Sequence, residues 1–147
     1  MRAPLQILGI PYKMTESGPR YCVLHRSDLD QWQFIAGGGE DDETPAEAAK
    51  REIWEESGVQ TEEITALRSM CYVPRNIFSP RKTTHWPSDL YVVPEYAFAF
   101  RCEGDLSLSG EHTECRWLGY DEAMALLTWD SNRTALYELN CRLKDGN

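Results

Sequence analysis

Between Glu40 and Glu56 the chain carries eight carboxylates, Glu40, Asp41, Asp42, Glu43, Glu47, Glu52, Glu55 and Glu56, against two bases, Lys50 and Arg51. At about 100° per residue, a helix through this stretch puts Glu52, Glu55 and Glu56 on one face. Like charges spaced i, i+3 and i+4 repel. Glu55 and Glu56 would also sit in the last turn, where the helix dipole is negative and favours cations. A divalent cation would reverse the sign of each of these terms. Carboxylate oxygens are hard ligands that suit Mg²⁺, Mn²⁺ or Ca²⁺ rather than metals that prefer Cys or His. Mg²⁺ typically takes a few carboxylates and completes its shell with water and substrate phosphates. The cluster therefore points to a metal-bridged polyphosphate; the plain alternative is a solvated acidic face.

The elements that must present these groups are legible around them. Thr44-Pro45-Ala46-Glu47 is a helix start: Thr44 caps, Pro45 suits the first helical position and Glu47 closes a capping box. Gly58 is a natural stop, with Val59 placed for a Schellman contact. The spacing predicts a helix over Pro45 to Ser57, with Ala46, Ala49 and Ile53 on the buried face and small Ala48 leaving space above the carboxylates. Arg51 can pair with a carboxylate and fix its rotamer. Gly37, Gly38 and Gly39 before the helix permit close approach of main chain to a ligand.

Apolar runs place the rest. "LQILGI" and "YCVLHR" read as a hairpin joined through "PYKMTESGP", and "WQFIA" as a third short strand stopped by the three glycines. "ITALRSMCYV" and "LYVVPEYAFAFRC" read as longer strands, the second with Pro94 marking a bulge or an edge. "ECRWLGY" is a further strand. "DEAMALL" and "SNRTALYELNCRLK" read as helices, the latter with an apolar stripe of Leu136, Leu139 and Leu143. Strands enclosed by early and late helices suggest an α/β fold, a mixed sheet between helices.

With 147 residues and 41% hydrophobic content, one globular domain over residues 1–147 is expected. The formal charge is −9, of which the 17 residues from Glu40 to Glu56 contribute −6, so the acidity is local. That balance argues against a long nucleic acid, which wants a basic face. Neither a signal peptide nor an 18-residue apolar run is evident, so a cytoplasmic protein with no membrane association is expected. Five scattered cysteines, Cys22, Cys71, Cys102, Cys115 and Cys141, read as reduced thiols. Between Glu63 and Asp89 lies an acid-free segment with Arg68, Arg75, Arg81, Lys82, His85 and Trp86. It reads either as an ordinary strand and loop or as a loop receiving an anion and an aromatic ring.

The acidic segment resembles the Nudix box, G-x5-E-x7-R-E-U-x-E-E-x-G-U with U aliphatic. The pattern falls on Gly37, Glu43, Arg51, Glu52, Ile53, Glu55, Glu56, Gly58 and Val59 without departure. The resemblance implies an α/β/α sandwich and a Mg²⁺-dependent hydrolase of nucleoside diphosphates linked to another group, Mn²⁺ being a possible substitute. It implies Glu52, Glu55 and Glu56 as metal ligands, and Glu43 and Arg51 as braces of the loop–helix–loop. Family position adds Glu111, with Glu114 its competitor, as a carboxylate from outside the box. The implied catalytic set is Glu55, Glu56, Glu111 and Arg51, and the implied metal set is Glu52, Glu55, Glu56 and Glu111.

More weakly, "HRSDLDQWQFIAGG" and "EHTECRWLGYDEAMALLTWDSNRTAL" are similar to bacterial dihydroneopterin triphosphate pyrophosphatases. That likeness implies cleavage of a nucleoside or pterin triphosphate to a monophosphate and pyrophosphate. The alternatives are another Nudix specificity (an oxidised dNTP, a dinucleoside polyphosphate or a sugar nucleotide) or a sensing module without turnover. For the substrate, Arg26, Arg75 and Arg81 are candidate phosphate contacts, Gly37 and Gly38 candidate backbone contacts, and Trp32 a candidate ring-stacking residue, as are Trp86 and Trp129. His112 is a candidate donor to phosphate. The expected partner is a small nucleotide or pterin polyphosphate, and the expected assembly a monomer or homodimer.

Overall fold

A computed structural model describes residues 1–110 and 112–146. Its seven strands are β1 (Arg2–Thr15), β2 (Gly18–Arg26), β3 (Gln31–Gln33), β4 (Ile35–Glu40), β5 (Ile64–Pro74), β6 (Val92–Arg101) and β7 (His112–Leu118). The helices are α1 (Pro45–Ser57), the short α2 (Pro80–Thr83), α3 (Tyr120–Leu126) and α4 (Asp130–Asp145). β1 organises the sheet. Its first half pairs antiparallel with β4, its middle runs parallel to β6 from Gln6 to Tyr12, and its end pairs antiparallel with β2. β5 lies beyond β6, and β3 and β7 lie on β2. The sheet is therefore mixed, and β4 is an edge strand over the stretch that holds the glycines.

Side chains alternate across a strand, and the two faces have different tenants. Ile7 and Phe98 pack with Ala48 and Ala49 of α1, while Phe100, Leu24 and Ile35 surround Ile53. On the other face Leu8, Ile10, Val23 and Ala99 pack against Ala123 of α3 and Ala135, Leu136 and Leu139 of α4. This is the α/β/α sandwich. No helix is long and apolar enough to cross a membrane among the described residues. All five cysteines are free.

Several local readings need correction. The three glycines do not stop a strand; they form half of β4. A Cβ at Gly37 would come within 2.1 Å of the Glu52 carboxyl carbon, so glycine there leaves the Glu52 carboxyl group its place against β4. The hairpin turn is shorter than "PYKMTESGP", because β1 runs on to Thr15 and β2 resumes at Gly18. Pro94 is paired with β5, and β1 joins β6 only from Glu95 onwards, so the proline sits where that side of the strand is still unpaired. The β5–β6 irregularity falls elsewhere, between Ala66 and Met70.

Candidate active site

The sequence of α1 builds its own frame. Thr44 Oγ1 accepts from Glu47 N at 3.2 Å and Glu47 Oε1 accepts from Thr44 N at 2.9 Å, a closed capping box. At the other end Gly58 turns left-handed at φ 72°, and its N–H bonds Trp54 O at 2.9 Å. Inside this frame Arg51 spends its whole guanidinium on neighbours. Nε and Nη2 donate to Glu43 at 2.8 and 2.9 Å, and Nη2 also reaches Gly38 O at 2.7 Å. Nη1 donates to Glu52 Oε1 at 3.0 Å and, at 3.3 Å, to Glu55 Oε2. Glu43 in turn accepts from Glu40 N at 2.8 Å. Arg51 thus ties the glycine strand, the loop and the helix together. Its partner Glu43 is held below the usual carboxylate range, chiefly by the Arg51 hydrogen bond.

The three carboxylates of the helix face differ in setting. Glu55 is exposed, while Glu52 and Glu56 are buried, so the face is not a solvated one. Burial pushes Glu52 up to about 7 despite Arg51, with Glu55 and Glu56 adding to the rise. Glu56 Oε2 accepts from Ser109 Oγ at 2.7 Å and lies 3.2 Å from His112 Nδ1. His112 is buried rather than a solvent-facing phosphate donor, and neither ring nitrogen has a well-aligned hydrogen-bond partner among the described residues. An all-carboxylate donor set suits a hard divalent cation. Among the described residues no three His, Cys, Asp or Glu side chains already converge as a ligand shell. The expected fourth carboxylate, Glu111, lies outside the described residues; Glu114 pairs with Arg116 at 3.2 Å on β7.

The same strands open a cavity of about 380 Å³ on the α4 face, lined by Gln6, Leu8, Arg26, Gln33, Glu95 and Trp129 among others. Gln6 pairs with Gly38 on one side and Glu95 on the other, so this cavity adjoins the glycine strand through β1. Of the substrate candidates, Gly37 lies at the Glu52 carboxylate and Gly38 beside the Arg2 and Arg51 guanidinium groups, and Arg26 lines the cavity while gripping Asp28 at 2.7 and 3.0 Å. Trp32 is placed elsewhere, against the α3/α4 core beneath the Arg116 guanidinium, whereas Trp129 lines the cavity. Arg75 is consumed by the carbonyls of Thr83, Pro87 and Leu90, which shape the loop after β5. Arg81 is exposed on α2. Trp86 is buried and, with His85, donates to Arg2 O, so this segment latches onto β1.

Sequence reasoning passed over Arg2, Glu95 and Asn132. Arg2 lies across Gly38, where a Cβ would meet its guanidinium carbon at 2.0 Å, and its Nε is buried without a partner among the described residues. Nothing in the sequence marks it. Asn132 satisfies Phe34 N at 2.9 Å between β3 and β4. Glu95 did carry a signal: it is the single charged residue in the inward row Val93, Glu95, Ala97, Ala99 of β6.

The loop–helix–loop stacks carboxylates against a glycine edge strand inside an α/β/α sandwich. The chain belongs to the Nudix family: the NUDIX domain matches residues 12–139. It is 30% identical to the bis(5'-nucleosyl)-tetraphosphatase [asymmetrical] of Mus musculus, over 86% of this chain and 82% of that one. It is equally 30% identical to the dihydroneopterin triphosphate diphosphatase of Escherichia coli (strain K12), over 92% and 91%. Among solved structures, a NUDIX-hydrolase-like protein of Listeria monocytogenes is similar at 47% identity and TM-score 0.86, covering 98% of this chain and 97% of that one. The protein is a Nudix hydrolase acting on phosphoanhydride bonds, and enzymes of this family generally use a divalent metal such as Mg²⁺.

Proposed function

We propose that the enzyme is a Mg²⁺-dependent pyrophosphohydrolase that cleaves a nucleoside or pterin triphosphate, of the dihydroneopterin triphosphate or dATP type, to the monophosphate and pyrophosphate. The observation that carries this reading is the adjacency of two features: buried Glu52 and Glu56 beside exposed Glu55, and a cavity of about 380 Å³ reached across β1. That volume is in the range that holds one small ligand group. The E. coli relative's name supports the substrate class.

Glu52, Glu55 and Glu56, joined by Glu111, would hold Mg²⁺ or Mn²⁺. When bound, the metal would polarise the phosphoanhydride oxygens and lower the pKa of a coordinated water. The chain's own residues do the rest. Arg51 fixes Glu52 and Glu55 against Gly38 and Glu43, so little reorganisation remains when the substrate arrives. Gly37 and Gly38 let phosphates approach the edge strand. A carboxylate not fully used as a ligand, from among Glu55, Glu56 and Glu111, takes the proton of the attacking water. Arg26 and Trp129 bound the ring end. In this reading the chain acts as a single domain, monomer or homodimer, on a small polyphosphate rather than on nucleic acid or membrane. Its five free thiols suit the reducing cytoplasm.

The test is hydrolysis with Mg²⁺ across dihydroneopterin triphosphate, the common and oxidised dNTPs, diadenosine tetraphosphate and a sugar nucleotide, with products resolved by chromatography. Highest kcat/KM on a triphosphate, with pyrophosphate as co-product, is expected. A second reading, a dinucleoside tetraphosphate substrate, is favoured by the mouse relative's name; preferential release of two unequal nucleotides from that substrate would establish it instead. Binding without release from any substrate would make the protein a sensor.

A further inference from the structure

Glu95 is a buried carboxylate that the hydrolysis does not use. It is 8% exposed, in a row otherwise made of Val93, Ala97 and Ala99. Burying a carboxylate costs several kcal/mol unless a cation or strong donors meet it. Here the partners are neutral: the Cys71 thiol at 3.5 Å from Oε1, and the Ser131 hydroxyl at the start of α4. Among the described residues no Lys or Arg forms an ion pair with it; Arg26 lines the same cavity but is bidentate on Asp28. Glu95 stands on the wall shared by the cavity of about 380 Å³ and a smaller one of about 70 Å³. It is also within reach of the phosphate end. Glu95 and Gly38 flank Gln6 on neighbouring strands, so their backbones lie two strand spacings apart, about 10 Å. One molecule can touch both.

We propose that Glu95 selects the substrate's ring by accepting two adjacent N–H groups, the edge shared by guanine and pterins and absent from adenine. This rests on the triphosphate reading above and narrows it to 2-amino-4-oxo heterocycles. Two carboxylate oxygens side by side match two parallel donors. Adenine offers one donor and one ring-nitrogen lone pair, which a carboxylate repels. Leu8 and Val73 with the Trp129 ring supply apolar surface for a planar heterocycle. Burial raises the Glu95 carboxyl above its ordinary range, which two N–H donors from a ligand would counter.

Monophosphates contain no phosphoanhydride, so their binding reads the ring site without turnover. Calorimetric titrations of GMP, IMP, AMP and neopterin isolate the edge, because IMP lacks only the 2-amino group of GMP. The wild type should bind GMP roughly 10- to 100-fold more tightly than IMP and AMP, the range of one to two hydrogen bonds to a charged group. Glu95→Gln, similar in shape but offering one donor and one acceptor, should erase that preference and raise AMP relative to GMP. Equal affinity for GMP and IMP, tighter AMP, uniform weakening by Glu95→Gln, or no binding of any of the four below millimolar overturns the assignment. The wild-type comparison alone decides the matter if the variant fails to fold. A silent hydrolysis panel, by contrast, sinks the proposed activity and leaves the ring preference standing.

Discussion

A methyl group at position 37 tests the coupling between the glycine strand and the carboxylates. A Cβ built on Gly37 lies 2.1 Å from Glu52 Cδ and 2.3 Å from its Oε2, whereas ordinary contact begins at 3.4 Å, so the carboxyl group must retreat by about 1.3 Å. The obstacle is the end of a flexible side chain, and Gly37 has no left-handed backbone angle, so β4 itself accommodates alanine. The cost to folding is the Arg51–Glu52 hydrogen bond of 3.0 Å, worth about 1.5–3 kcal/mol for a charged pair. It is partly offset by about 0.5–1 kcal/mol from the lower chain entropy of alanine. The net loss is at most about 2.5 kcal/mol, or no more than about 10 °C in Tm for a chain of this size.

Activity should suffer far more, because a reacting group displaced by about 1 Å can cost about 100-fold. Gly37→Ala is therefore expected to keep a cooperative melt near the wild-type Tm while kcat/KM falls about 100-fold at saturating Mg²⁺. Gly104→Ala, where an added Cβ meets nothing within 4 Å, serves as the control and should leave both values unchanged. Wild-type kcat/KM in folded Gly37→Ala would show that Glu52 need not stand where α1 puts it, and the proposed site would fall. A Tm loss beyond about 15 °C would refute the claim that the clash is relieved by a side chain alone.

Glu56→Gln should lower kcat by about 100-fold or more while Tm without metal holds or rises, because one of the repelling charges is gone; undiminished turnover in the soluble fraction would make Glu56 structural. Arg51→Lys cannot reproduce the fork that grips Glu43 and Gly38 O together, so it should reduce both Tm and kcat, and a melt and rate equal to wild type would refute the bracing role. Glu138 links α4 to β5: burial pushes its carboxyl up, but donors from Arg68 N, Ser69 N and Oγ, and Arg142 outweigh burial and hold it at about 2. A depressed folded pKa stabilises above the ordinary 4.5, and that contribution is lost as pH falls toward 2. Discounted for its partial exposure, Glu138→Gln should cost about 1–2 kcal/mol at pH 7, with the difference from wild type shrinking below pH 4.5 in denaturant titrations; a constant difference down to pH 2 would contradict the assignment.

Local chemistry made α1 readable to the residue. Thr44, Pro45, Glu47 and Gly58 each act within one turn of their position in the chain, so the helix limits, cap and stop follow from neighbours alone. The same holds for β2, β5 and the leucine stripe of α4. What escaped depends on distant partners. The strand character of Gly37–Gly39 is imposed by α1 lying against it and by β1 alongside, and glycine alone argues for a break. Trp86 and Arg75 look like loop residues ready for a ligand, but Trp86 serves β1, 84 residues away in the chain, and Arg75 serves the carbonyls of Thr83, Pro87 and Leu90 in its own loop. His112 looks like a loop histidine until β7 pairs with β2 and carries it beneath Glu56.

The charge balance around Arg51 ties these local and distant effects together. One guanidinium meets three carboxylates, Glu43, Glu52 and Glu55, while Glu56 meets the Ser109 hydroxyl and lies near the His112 imidazole. Arg2 brings a second guanidinium within the field of Glu52, so four carboxylates face two fixed cations, and the partly buried site stays net negative where screening by water is weak. Arg51 therefore does not neutralise the cluster; it orients two of its members and leaves the remaining charge for a ligand. Adding a further basic residue would stabilise the free protein and compete with a divalent ion for the same oxygens. Replacing Ser109 with lysine, beside Glu56, should raise Tm in the absence of metal and increase the Mg²⁺ concentration needed for half-maximal activity by about 10-fold, the equivalent of about 1.4 kcal/mol of competing interaction. A raised Tm with an unchanged Mg²⁺ requirement would mean that Glu56 takes no part in holding the cation.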